Sequence, residues 1–531
     1  MKELRIEELS VRQKLGMTMI AYIEREGADL DYVVRMIKEH SLGAVWISPK
    51  FAPEDVLMKA VKDAADYPIL VMRDAEAGVQ PYMIGRHNSI GIAGKPELAR
   101  AFGKTVGATA RKIGYTVVCN PVLDMVDRNM TCAASDRSLG GDKEKVSELA
   151  IALVEGMHEG GVLSVAKHYP GTAPEDAFMD SHMAEVFSLA TKEELLAYNL
   201  YPYLRLMERG LLDGIMTKHA RFKNIDPDYP ASLSEKVIGI IREQGFDGFA
   251  LTDALCMSGI LTKFGKGTPA AMAISGGNDL SLSYMPDNDV IFDHIVRYYE
   301  EGKLDDARLD EAVRRVLEAQ HKTTLLPVGV ELTEEDKRRF ERINEEAVYT
   351  IVDEGLEHTV SRDVRHFFVV LTSTTFVAPD KNSPAVDTIS NNWHQPVLIA
   401  KKINELFPSS AVRYLSEFPS RSDINDVLVD SLEYEDVVFI GNFCGAPYLG
   451  IEHYTLRIIS VIEALQIDDR ISAMVHLGNP YVLEDLAHVP RIVVGCTSRS
   501  SSMYTLEVLA GAREPLGVPT YKIKLREKIT R

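Results

Sequence analysis

The chain has 531 residues, 46% hydrophobic and 26% charged; single cores stop growing near about 250–300 residues, so two domains are expected and disordered or fibrous classes are excluded. With 59 Lys+Arg against 78 Asp+Glu, the formal net charge is −19, a field that repels phosphate backbones and anionic lipid, so neither nucleic acid nor a membrane is expected as a partner. No run reaches the roughly 18 apolar residues of a membrane helix, and the charged start MKELRIEELSVRQKLG has no apolar signal core, which reads as cytoplasmic.

In chain order, eight short β-rich runs come first: 16–23, 44–49, 68–74, 115–124, 162–169, 214–219, 248–253 and 278–283. Between them lie patterns such as ELARAFGKTVGATARKIG, with apolar residues three and four apart as on one helix face. Nearly all-apolar runs suit strands buried on both faces of a parallel sheet, and eight βα repeats predict a TIM-type (β/α)8 barrel over residues 1–332. The charged helical stretch 333–360 is read as a connector. Over 361–531, the runs FFVVLTS, VRYLSE, DVVFIGN, ISAMVHLG and RIVVGCTS alternate with helical segments, predicting a C-terminal doubly wound α/β sandwich domain.

The barrel runs end in polar groups: Asp74, Asp124, Lys167 with His168, Lys218 with His219, Asp253 and Asp279. C-terminal strand ends converge on one face of such a barrel, so these residues are expected at an active-site mouth. Asp124 and Asp279 are read as supporting groups, and His219 equally as a core histidine or a neighbour of the site. The densest constellation is AKHYPGTAPEDAFMDSHMAEV, 166–186. There Asp180 stands two before His182, close enough to fix the imidazole tautomer, raise its basicity and leave the other nitrogen for proton transfer. Glu175 and Asp176, in the same loop, are the alternative acids. Asp253, closing GFALTD, could be a nucleophile, a charge stabiliser or a helix cap. Five cysteines without CxxC spacing (Cys119, Cys132, Cys256, Cys444, Cys496) read as core thiols; no metal or other cofactor is expected.

These segments resemble glycoside hydrolase family 3, and within it the β-N-acetylglucosaminidase branch. The family's KHFPGHG followed by Asp-Ser/Thr-His is similar to Lys167–Gly171 and Asp180-Ser181-His182. DQEGG resembles Asp74-Ala75-Glu76-Ala77-Gly78; NPV-D and D-R-S-F-G resemble 120–124 and 136–140; VMTAH, IDP-D-PA-LS and GFDG-V-SDDLGM resemble IMTKH, IDPDYPASLS and GFDGFALTDALCM. The departures are Thr172-Ala173 for His-Gly, Ala77 for a motif glycine, Ala254 and Cys256 in SDDLGM, and Gly78-Val79-Gln80-Pro81 where many members carry GGRVQR, which removes two arginines. Arg86 is a candidate replacement.

The resemblance implies a retaining, exo-acting β-glycosidase that removes a terminal nonreducing sugar, with N-acetylglucosamine expected. Asp253 aligns with the nucleophile and His182, oriented by Asp180, with the acid/base. Asp74, Arg137, Lys167 and His168 align with residues that hold the sugar hydroxyls. Two alternatives stand beside it: a retaining phosphorylase, since a neutral imidazole does not repel incoming phosphate as a carboxylate does, and a non-catalytic sugar-binding barrel.

Overall fold

The computed structural model describes residues 1–126, 135–172, 180–373, 376–377, 386–387, 395–442, 453–496 and 498–528. They form two compact units, one of residues 1–82, 96–125 and 142–339, the other of 83–95, 126–141 and 340–531.

In the first unit each predicted run contains a strand: β1 (Met19–Ile23), β2 (Ala44–Ile47), β3 (Leu70–Asp74), β4 (Val117–Cys119), β5 (Leu163–Tyr169), β6 (Gly214–Thr217), β7 (Phe249–Thr252) and β8 (Ser281–Leu282). They pair in parallel in the order β7-β6-β5-β4-β3-β2-β1-β8. A parallel bridge, Leu251 to Leu280, brings the two edges together. The result is a nearly closed eight-stranded α/β barrel. Its interior is filled by Ile20, Trp46, Met72, Cys119, Val165, Met216, Leu251 and others, all buried. That filling is why the strands read as continuous apolar runs rather than alternating ones.

Helices cover the outside, and their ends are set locally. Asp142 caps helix Lys143–Gly160 by accepting from the Glu144 and Lys145 amides. That helix lies against Pro96–Ile113 so closely that a Cβ on Gly103 would fall 2.0 Å from the Leu153 carbonyl, and one on Gly156 2.1 Å from that of Arg100. Glycine is required on both sides of this contact. Among the described residues, no helix is long and apolar enough to cross a membrane.

The second unit holds a six-stranded mixed sheet: β9 (Tyr349–Val352), β10 (His366–Thr372), β11 (Ala411–Ser416), β12 (Asp436–Asn442), β13 (Ile471–Leu477) and β14 (Arg491–Gly495). The order is β9-β14-β13-β12-β10-β11, parallel except for β9 against β14. The chain runs outward from β10 to β11, then returns past β10 to β12, which makes the sheet doubly wound. Phe368, Val370, Ile440, Val475 and Val493 are core residues buried on its strands. Residues 349–352, read from sequence as part of the connector, are the antiparallel edge strand.

Segments 83–95 and 126–141 belong to this unit although they come from the first third of the chain. Asn344 accepts from the Gly85 amide at 3.3 Å, Asn479 donates to Ser135 at 3.1 Å, and Val518 donates its amide to the Ile92 carbonyl at 3.0 Å.

Candidate active site

Strand β5 delivers two adjacent side chains to the barrel mouth, which regular pleating would forbid. Its register against β6 shifts between Lys167 and Tyr169, and this irregularity re-aims His168 so that Lys167 and His168 both meet groups from the ends of other strands. Lys167 is 2% exposed; its Nζ lies 2.5 Å from Asp74 Oδ1 at the end of β3 and 2.5 Å from Glu76 Oε1. A buried ammonium between two carboxylates is itself well paired, reduces the repulsion between the two acids and fixes their geometry.

His168 meets Asp124. The chain after β4 continues beside β5, with the Lys167 amide donating to the Pro121 carbonyl at 2.9 Å, and so places Asp124 at the mouth. Asp124 accepts from the His168 amide at 3.0 Å, from His168 Nδ1 at 2.6 Å and from the Thr172 hydroxyl at 2.6 Å, with Lys218 Nζ 3.8 Å away. Burial alone would raise its carboxyl, but His168, Lys218 and these donors hold it well below the usual carboxylate range. An ionised Asp124 can only accept, so Nδ1 of His168 carries a proton and Nε2 turns toward Asp253, 3.9 Å from Oδ2.

Asp253 follows β7, its amide bonded to the Thr217 carbonyl at 3.0 Å and its Oδ1 accepting from the Ala254 amide at 2.7 Å. Burial pushes its carboxyl up, but His168, His219, the Ala254 amide and Lys167 together hold it below the ordinary value. It is therefore an anion at the C-terminal end of its strand, with its side chain 16% exposed.

The Asp-Ser-His loop arrives from elsewhere. Asp180 Oδ1 accepts from the His182 amide at 2.9 Å and from His182 Nδ1 at 2.6 Å. The loop is pinned to the segment after Asp253: the Ser258 amide donates to the His182 carbonyl at 3.2 Å and the Gly259 amide to the Ser181 carbonyl at 3.0 Å. A Cβ on Gly259 would stand 2.8 Å from the Ala184 carbonyl and 3.0 Å from that of Ser181, so the approach depends on glycine. The arrangement joins an ionised carboxylate and a carboxylate-oriented imidazole, 28% exposed, on two loops that share backbone hydrogen bonds.

Residues 8–319 match the family model described as the Glycosyl hydrolase family 3 N terminal domain. The chain belongs to glycoside hydrolase family 3. A beta-hexosaminidase from Tolumonas auensis is 31% identical to this family 3 hydrolase over 276 residues, 49% of this chain and 81% of that protein. The beta-hexosaminidase LpqI of Mycobacterium tuberculosis is 27% identical over 332 residues, 58% of this chain and 82% of that one. Among solved structures, a family 3 beta-N-acetylglucosaminidase from Paenibacillus sp. FPU-7 shares the fold with a TM-score of 0.79 at 22% identity, covering 98% of this chain and 100% of that one. The beta-glucoside phosphorylase BglX has a TM-score of 0.77 at 19% identity, covering 97% of this chain and 94% of that one.

In this family 3 hydrolase the first unit brings together Asp74, Lys167, His168 and Asp253, and ties the Asp180–His182 loop to residues 258–259 beyond the last of them. Arg137 lies in the second unit, on the turn Ser135–Arg137, where its carbonyl pairs with His87 Nδ1 at 2.8 Å. Arg86, in the same unit, pairs with Asp136 at 3.1 Å.

Asp279 is not at the mouth. It precedes β8, at the opposite end of the barrel, where Arg242, Arg308 and Arg315 surround it at 2.8, 2.7 and 3.4 Å. His219 is a buried, satisfied histidine: Nε2 donates to the Ala254 carbonyl at 3.0 Å, Nδ1 accepts from Ser232 at 2.8 Å, and burial lowers its pKa. It steadies the backbone after Asp253. Cys119, Cys256 and Cys496 carry free thiols; Cys132, Cys444, Glu175 and Asp176 lie outside the described residues. Two residues were undervalued from sequence. Glu76 could have been found as the second acid of the Asp74 motif, and Asp124 by its place after a strand run that ends in a charge.

Proposed function

We propose that the protein is a retaining, exo-acting β-glycosidase that removes a terminal nonreducing β-linked N-acetylglucosamine. The observation that carries this reading is the backbone pinning of the Asp180–His182 loop to residues 258–259, just beyond the ionised Asp253. Asp74, Glu76, Lys167 and His168 present charged donors and acceptors to the hydroxyl rim of one sugar. In the first step an oxygen of Asp253 attacks the anomeric carbon, the glycosidic bond breaks, and the His182 Nε2 proton passes to the departing oxygen. In the second, His182 takes a proton from water, whose oxygen displaces Asp253 from the same carbon; two inversions give net retention. Asp180 holds the imidazole tautomer and stabilises its charged form. The sugar assignment follows the names of the matched relatives.

Because the proton carrier is an imidazole rather than a carboxylate, phosphate can approach in place of water, so the test includes both acceptors. Nitrophenyl β-glycosides are offered with and without inorganic phosphate. The N-acetylglucosaminide should be turned over fastest, at a rate independent of phosphate; release of a sugar 1-phosphate would convert the reading to phosphorolysis. A 2-fluoro glycosyl probe should label Asp253, and Asp253→Ala should abolish turnover. His182→Ala should slow poor leaving groups far more than activated aryl glycosides; label on another carboxylate, or an unchanged leaving-group dependence, overturns the mechanism.

A further inference from the structure

Shortly after β8, Tyr284 sits in left-handed backbone with φ 57°. Bulky residues seldom adopt this region, and such outliers persist where the surroundings over-determine them. Here two rings do so. The Tyr284 ring centroid lies 4.6 Å from Tyr22 on β1 and 5.9 Å from Trp46 on β2. Tyr22 and Trp46 are each 4% exposed, whereas Tyr284 is part-buried and forms the accessible end of the three-ring cluster.

That end lies beside the catalytic loop. The Leu255 amide donates to the Leu282 carbonyl at 2.9 Å and the Leu282 amide donates to the Thr252 hydroxyl at 3.0 Å, so the segment after Asp253 is fastened to the end of β8. Burial, and then the charge of nearby Asp74, pushes the Tyr284 hydroxyl up to about 12. The phenol is thus neutral near pH 7, and it lies near enough to Asp74 and to Cys256, on the loop that follows Asp253, for both to raise it. No proton or bond step proposed above uses it.

A pyranose carries hydroxyls around its rim and C–H bonds on its faces. Asp74, Glu76 and Lys167 suit the rim, while a face taken out of water needs an apolar partner, which aromatic rings provide at small entropic cost. We infer that Tyr284 is a substrate-binding residue whose ring packs against the C–H face of the sugar gripped by Asp74 and Lys167. This deepens the glycosidase reading and rests on it.

The test compares wild type with Tyr284→Asn, which tolerates left-handed backbone but removes the ring, and with Tyr284→Phe, which keeps it. On the aryl β-N-acetylglucosaminide, Asn should lose about 10- to 100-fold in kcat/KM, chiefly through KM, and Phe should recover most of that loss. Titration with N-acetylglucosamine, followed by tryptophan fluorescence, should show the same order of affinities. An Asn variant with wild-type KM and affinity, or a Phe variant as impaired as Asn, overturns the inference. Should Asn fail to fold, Tyr284→Leu replaces it in the comparison, with the same outcomes deciding. If wild type prefers another nitrophenyl sugar, the sugar assignment fails while Tyr284 is judged on that sugar; if it neither turns over nor binds any, both readings fall.

Discussion

Lys167 holds Asp74 and Glu76 together and also lowers the carboxyl of Asp253. Lys167→Met would leave two carboxylates facing each other, so we expect kcat/KM to fall by about 30- to 1,000-fold, equivalent to about 2–4 kcal/mol. Asp253 is held below its ordinary pKa, so its anionic form persists to lower pH than in a free carboxylate, and any stability it adds is lost only as pH falls through that depressed value. Lys167→Met should move the acid limb of kcat/KM upward; a limb that stays put would disconnect Lys167 from Asp253. The Asp180–His182 pair was legible in sequence because the two residues are near neighbours in one loop. The partners of Lys167 and His168 were not, since Asp74 and Asp124 stand 93 and 44 residues away and only the barrel's curvature unites them.

At the scale of elements, the approach of the His182 loop to helix Ser258–Phe264 depends on Gly259. Gly259→Ala improves helix propensity by about 1 kcal/mol, yet its methyl group would collide with two carbonyls of the dyad loop. We therefore expect kcat/KM to drop at least about tenfold while melting changes little; an unimpaired variant would show that the loop need not stay where it is. Strands β1–β7 were readable because both faces are buried except at the ends of β3 and β5, so apolar sequence and burial agree along most of their length. Asp279 was misplaced because β8 is only two residues long and starts after it. Its run contains the charge at the wrong end of the strand. Edge strand β9 was hidden by the charged helix Glu334–Glu346 just before it.

At the scale of the whole molecule, stability should depend on pH through histidines folded away neutral. His476, buried on β13 between the Tyr454 hydroxyl at 2.7 Å and the Asn479 carbonyl at 2.8 Å, has its pKa lowered by burial to about 4. The unfolded chain takes up this proton near pH 6.5 and the folded chain only near 4, so stability declines as pH falls between them, by up to about 3 kcal/mol. His476→Gln cannot be charged, and calorimetry from pH 7 to 4 should show wild type losing more stability than the variant; His219, shifted the same way, cancels in the comparison. Parallel pH curves would refute the assignment. The chain's two early excursions, 83–95 and 126–141, also matter during synthesis. A ribosome finishing the barrel at about 5–20 residues per second needs on the order of tens of seconds more to supply 340–531, the remainder of the unit to which they belong. Until then the nascent chain carries two segments that lack their native partners from 340–531, one of them holding Arg137, and a chaperone that shields them has its greatest leverage in that interval.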